Sequence, residues 1–267
     1  MMRPAMRATQ NWSALPFSML LCLGCTSSPA PREWRGEASA QLQGVAVDGT
    51  LGAGTRTRTI DADLGDVIEG DGDPFGYAGA LEVGHGPWAL RLVATRQDLG
   101  ADTLDSPVGR ESFTADQTFV TATAWLEVAR FDRRGSAREA DRAPTIEICA
   151  GARSCDVDLR LDSTIVPVAT GTRDWIDPLI GARATLPLSN NSYVITSGDV
   201  GGFSLGSDFC WSLEALVGID LFVARQRTAL QFGYRALGID YNAGAVGDEF
   251  VLDAVQHGPV LIFAIAF

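Results

Sequence analysis

Apolar and polar residues alternate along most of this chain. From Ala38 to Ala46 the even positions are Ala, Ala, Leu, Gly and Ala, against Ser39, Gln41, Gln43 and Val45. From Phe75 to Val83 the odd positions carry Phe, Tyr, Gly, Leu and Val, and Glu82 falls on the other parity. Between Trp88 and Ala94 the apolar parity is Trp, Leu, Leu, Ala, with Arg91 opposite. The longest run is Phe209 to Val223, where Trp211, Leu213, Val217, Ile219 and Leu221 share a parity against Cys210, Ser212, Glu214, Gly218 and Asp220. A period of two belongs to strands, because successive side chains of a strand point to opposite faces. The pattern predicts an all-β chain, with strands beginning near residues 37, 75, 88, 113, 145, 177, 192, 209, 228 and 248.

A soluble β-sandwich alternates as well, since one face of each sheet meets a core. Three features favour a single antiparallel up-and-down transmembrane β-barrel instead. The runs are long compared with most soluble strands. Short polar turns (Gly84-His85-Gly86-Pro87, Ser189-Asn190-Asn191, Arg225-Gln226-Arg227) alternate with longer connections, as they do in outer-membrane barrels. The chain also stops on an alternating strand, Leu261, Phe263, Ile265, Phe267, whose last residue is aromatic. The expected barrel occupies 36–267 and has ten strands, with eight or twelve as the alternatives, both termini lying on the periplasmic side. The fifth strand is irregular. Ile146, Ile148, Ala150 and Ala152 share one parity and Val157, Leu159 and Leu161 the other, which predicts a bulge near Arg153-Ser154 or a turn between two short strands.

The N-terminus reads as an export signal over 1–24, with Arg3 and Arg7 before an apolar stretch, Ala14 to Gly24, too short to span a bilayer. It ends in Leu21-Cys22-Leu23-Gly24-Cys25, which resembles a bacterial lipobox and makes Cys25 the expected lipidation site, although Cys22 stands where an aliphatic residue is usual. Residues 25–35 read as a tether. Export leaves Cys149, Cys155 and Cys210, too few for a disulfide framework, though a Cys149–Cys155 bridge is open if a turn separates them.

The net charge of −12 argues against a nucleic-acid partner, which needs basic surface, and the absence of lysine among the 21 basic residues reads as genome composition. If the apolar parity faces lipid, Glu82, Arg91, Glu127, Arg153, Asp177, Arg183, Asp199, Glu214, Asp220 and Arg235 face the lumen. Charges packed there have to pair, because lone buried ions are costly. The result is either a salt-bridge plug or a narrow conduit, and the acidic excess in this set would favour cations. The glycines Gly201, Gly202, Gly206, Gly233, Gly238 and Gly258 lack the strand-to-helix context of a phosphate loop and read as bends or close approaches.

The segments Asp174-Trp175-Ile176-Asp177-Pro178-Leu179-Ile180-Gly181, Asp199-Val200-Gly201-Gly202-Phe203, Gly206-Ser207-Asp208, Trp211, Gly233-Tyr234-Arg235 and His257-Gly258-Pro259-Val260 resemble a broad group of uncharacterised Gram-negative outer-membrane β-barrel proteins of the small porin-like or OmpA-like kind. Residues Gly79 to Leu92 match more loosely. The resemblance implies a barrel in the bacterial outer membrane and assigns no catalytic residue; the ending Ala264-Ile265-Ala266-Phe267 departs from the more polar inward pair expected there. Expected partners are outer-membrane lipid and lipopolysaccharide, with the barrel-assembly machinery meeting the C-terminal strand.

The leading functional expectation is a structural barrel or a narrow, closed pore, with no cofactor and no metal. The rival is a surface-binding module using loops at 49–74, 99–112 and 163–176. An outer-membrane hydrolase ranks third, since His85 and His257 are the only histidines and His85 falls in a periplasmic turn. The acidic stretch Asp61, Asp63, Asp66, Glu69, Asp71, Asp73 lacks the spacing of a calcium loop and reads as solvated surface.

Overall fold

The computed structural model describes residues 33–65, 75–106, 109–131, 143–163, 168–223, 226–245 and 248–267. Among them run twelve strands: β1 (Trp34–Gly44), β2 (Ala46–Ala53), β3 (Arg56–Ala62), β4 (Phe75–His85), β5 (Trp88–Ser106), β6 (Gly109–Arg130), β7 (Thr145–Ser163), β8 (Ala169–Pro187), β9 (Ser192–Gly201), β10 (Phe209–Val223), β11 (Gln226–Ala243) and β12 (Phe250–Ala266). β1 and β4 to β12 pair in chain order, and β12 pairs back onto β1, which closes a ten-strand antiparallel barrel. Closure satisfies the edges that an open sheet would leave unpaired. The C-terminal Phe267 completes the seam: it exchanges two 2.9 Å backbone hydrogen bonds with Gly36. Its ring lies where a side chain at residue 36 would stand, 2.3 Å from the position a Cβ would take.

β2 and β3 are additional to the ring. β1 leaves β12 at the pair Gln43↔Val260, and β2 resumes along β12 from Ala46↔His257 to Ala53↔Phe250. β3 then turns back onto β2. Because β4 starts level with Gly44, the hairpin belongs to the distal half of the barrel, remote from the short turns. It crosses the lumen: Arg56 on β3 donates a 3.1 Å hydrogen bond to the carbonyl of Leu161 on β7.

Several walls are long. β5, β7 and β8 have 19 residues each and β6 has 22, against the roughly 9–11 that a tilted strand needs to cross a bilayer core. Side chains divide these strands into two regimes. In the turn half, the outer face is apolar and exposed, with Leu90, Leu92, Ile146, Ile148, Ile180, Leu213, Val217, Phe232, Leu261 and Phe263 among its residues. In the distal half the polarity inverts. Asp98, Asp116, Asp156, Asp158, Asp174 and Asp240 point outward and are exposed. Leu99, Phe113, Val157, Leu159, Phe250 and Leu252 point inward and pack with Val45, Val47, Leu51 and Ile60 of the hairpin into one core.

This inversion corrects the expectation for the fifth strand. β7 is continuous, and its register with β6 and β8 does not shift at Arg153-Ser154. The parity of its side chains is unbroken; the surroundings change, so apolar residues face out below that level and in above it. Bulges occur elsewhere, between Glu127 and Ala129 and between Asp102 and Leu104. The three expected loops are corrected as well. Segment 49–74 contains the end of β2 and all of β3, 99–112 is mostly the distal ends of β5 and β6, and 163–176 includes the first turn-remote part of β8. The bridge between Cys149 and Cys155 does not form, because no turn separates them; both thiols are free and buried on the inward face of β7. The signal and Cys25 lie outside the described residues, as do Asp66, Glu69, Asp71 and Asp73, while Asp61 and Asp63 stand at the end of β3.

Candidate functional site

The inward polar residues of the turn half enclose a chamber of about 640 Å³ that opens at the turn end, past Glu33, Pro187 and Ala266. Of the inward residues expected from the sequence, Glu82, Arg91, Glu127, Arg153, Arg183, Asp199, Glu214, Asp220 and Arg235 line it. Eight carboxylates and seven arginines line the wall, so the acidic excess of the shorter set narrows to one in the chamber.

Most of these charges are tied in pairs. Arg183 on β8 forms the central strut. Its Nε and Nη2 donate to Glu147, its register partner on β7, at 2.7 and 3.0 Å. Its Nη1 and Nη2 reach across the lumen to Glu82 on β4, at 3.0 and 3.3 Å. Arg91 completes the chain with a 3.4 Å contact to Glu82, and the Arg183 guanidinium lies 4.6 Å from the centroid of the Trp125 ring. Two carboxylates around one planar fork satisfy nearly all its donors, the arrangement in which a desolvated guanidinium is tolerated. Arg130 holds Glu127 at 2.6 Å, Arg227 holds Asp220 at 3.0 Å, and Arg153 holds Asp199 at 2.9 Å.

Asp177 departs from the expected role. It faces inward but is fully buried, outside the chamber wall. One carboxylate oxygen accepts from the backbone N–H and the hydroxyl of Ser207, at 2.6 and 2.9 Å, and the other accepts the Trp175 indole N–H at 3.0 Å. It thereby pins the connection between β9 and β10, in which Gly202, Phe203 and Ser204 have φ of 84°, 52° and 57°. The left-handed backbone at Gly202 is one that glycine adopts without strain. The segments around Asp174–Gly181 and Gly206-Ser207-Asp208 thus meet at one buried carboxylate.

Above the chamber a buried glutamine layer crosses the lumen. Gln256 on β12 donates to Gln117 on β6 at 2.6 Å, with Gln43 and Gln97 buried beside them. The void at this level is about 10 Å³, room for a single water at most. Beyond it stands the apolar core of β2, β3 and the distal walls. Among the described residues the chamber is therefore a cul-de-sac. Sequence reading placed the charges inward, but it missed the stopper, because nothing in Ala46–Ala62 distinguishes a hairpin inside the ring from one on the surface.

The two histidines serve structural contacts. His85 lies 4.8 Å from the Trp34 ring at the turn end. His257 points outward, bonded through Nε2 to Asp48 at 2.7 Å and through Nδ1 to the Tyr234 hydroxyl at 2.5 Å. No cluster among the described residues has the make-up of a metal site.

No known family and no curated protein matches the chain. Among solved structures, the crystal structure of Neisserial surface protein A is similar over 88% of this chain and 97% of its own, at 11% identity and a TM-score of 0.31. Outer membrane protein AlkL, determined by solid-state NMR in lipid bilayers, covers 97% of both chains at 11% identity and a TM-score of 0.35. A FadL homologue from Pseudomonas aeruginosa covers 88% of this chain and 90% of its own, at 8% identity and a TM-score of 0.27. At such scores the likenesses carry no argument; the architecture rests on the strand register itself.

Proposed function

We propose that this protein is a non-enzymic outer-membrane β-barrel whose lumen is closed, serving a structural role or that of a pore held shut. The observation that supports the reading is the inversion of polarity along single strands. The outward apolar stretch from Ile176 to Leu186 on β8 has the length of a membrane crossing, and the acidic wall above it suits water. Closed barrels satisfy every backbone group in lipid, which open sheets cannot do. The turn end then faces the periplasm, and the hairpin stopper lies toward the outside. Lipid and lipopolysaccharide surround the belt, and the seam strand carrying Phe267 is the part offered to the assembly machinery.

Conductance across a planar lipid bilayer tests the closed lumen. The refolded wild-type protein should be silent. Discrete current steps, shifted by Asp199→Asn or Glu214→Gln, would make the lumen a pathway and sink the closed-barrel reading. The exposed distal aspartates favour one second reading, contact with a cationic partner at the cell surface.

A further inference from the structure

Among the chamber's arginines, Arg235 alone has neither a hydrogen bond nor an ion pair among the described residues; the other six are engaged. Glu214 sits directly opposite it in the β10–β11 register and attracts it electrostatically, but makes no hydrogen bond or ion-pair contact, with Arg235 or with any other described residue. Cross-strand neighbours of this kind have Cβ atoms about 5 Å apart, yet these two side chains do not meet. Both enter the chamber near its roof, where an unpaired charge is costly to hold. Immediately toward the opening, Gly233 is flanked in register by Leu216 and Val260, which pack with Ile262 and Ile195 into an apolar patch. One cation, one carboxylate and one apolar surface converge within reach of a single small molecule.

We propose that the roof of the chamber binds a zwitterionic α-amino acid with an apolar side chain. Its carboxylate takes the Arg235 guanidinium, its ammonium takes Glu214, and its side chain lies on Leu216 and Ile262. A bare anion would leave Glu214 repelled and unpaired, and a bare cation would do the same to Arg235; a zwitterion neutralises both without adding net charge. The chamber volume falls within the range of small-molecule sites, about 300–1,000 Å³, and access is from the open turn end. Gly233 lets β10 and β11 approach closely beside this patch, since a Cβ there would stand 1.9 Å from the Ala215 carbonyl oxygen. This site goes beyond the closed-barrel role, and occupancy leaves the stopper in place, so binding and conductance report separately.

Titration calorimetry of the refolded full chain in lipid nanodiscs, with empty nanodiscs as the blank, decides it. L-leucine should bind at millimolar concentration or below, and 4-methylpentanoate and 3-methylbutylamine, which each lack one charge, at least tenfold more weakly. Glu214→Gln and Arg235→Gln should each lose leucine binding by a similar factor while circular dichroism shows an intact barrel. Absence of leucine binding, equal binding of the acid or the amine, or binding that survives in either folded variant would overturn the proposal. Should a variant fail to fold, the three-ligand comparison on the wild-type protein still decides.

Discussion

At the scale of single residues, the side chains that hold this molecule together are those whose partners come from distant parts of the chain. Asp177 accepts four hydrogen bonds in a site closed to solvent, the fourth from the Cys155 thiol at 3.9 Å. Asp177→Ala would strand those donors, and leaving buried donors unmet costs about 1–3 kcal/mol each. Urea unfolding should show a loss of about 2–4 kcal/mol; a loss within error would mean the anchor is dispensable. Asp240, on the outer distal wall, has its carboxyl pKa raised, first by partial burial and then by Asp253 and Asp208. Its folded form therefore binds a proton more readily than the unfolded chain does. That term opposes folding above the raised pKa, and the opposition disappears as pH falls through it. Asp240→Asn should stabilise the barrel at neutral pH and change nothing once the carboxyl is protonated in the unfolded chain as well as in the folded one. Inward charges such as Glu82 and Arg183 were legible from parity, but their union across the lumen was not, since parity names a face and not a partner.

At the scale of elements, β7 shows what alternation can and cannot reveal. Its period of two is unbroken over 19 residues, so the strand itself was legible. The apparent slip at Arg153-Ser154 arises because hydrophobicity marks the drier side, and the drier side changes from outside to inside along the strand. The same change disguised the distal part of β8 as a loop: its outward Thr170, Thr172 and Asp174 are polar where water replaces lipid. The β2–β3 hairpin was hidden for a related reason, its Thr-Arg-Thr-Arg-Thr stretch (residues 55–59) reading as surface. Deleting 46–62 in favour of a short turn removes Val47, Leu51 and Ile60 from the distal core. If that hairpin is the stopper, the deletion variant should conduct in a planar bilayer where the wild-type protein is silent. A silent, folded deletion variant would put the block in the glutamine layer and the Arg183 strut instead.

At the scale of the whole molecule, one sequence builds two barrels end to end. The turn half resembles a membrane protein, apolar outside and ion-paired within; the distal half resembles a soluble β-barrel, acidic outside and apolar within. Salt should affect them differently, because exposed like charges are screened whereas enclosed ion pairs are not. The distal aspartates stand opposite one another across strands, as in Asp98↔Asp116↔Asp158 and Asp156↔Asp174, and directly opposed like charges destabilise a sheet. Raising ionic strength should therefore slow hydrogen exchange in the distal ends of β5 to β8 and leave the turn half unchanged. The fold class and the belt were open to sequence reading because lipid imposes a regular pattern; the closure was not, because it depends on where a hairpin goes.

The most direct test of this division is a spin-label scan along the outward face of β7, in a protein whose three described cysteines are replaced by serine. Labels at Ile146, Ile148, Ala150 and Ala152 should collide with oxygen, which concentrates in lipid. Labels at Ser154, Asp156, Asp158 and Arg160 should collide with a water-soluble nickel chelate. A single crossover between Ala152 and Ser154 is the predicted result. Uniform exposure to the nickel chelate along the strand, or a second crossover, would contradict the account of a barrel that spans the membrane with half its length and closes itself with the other.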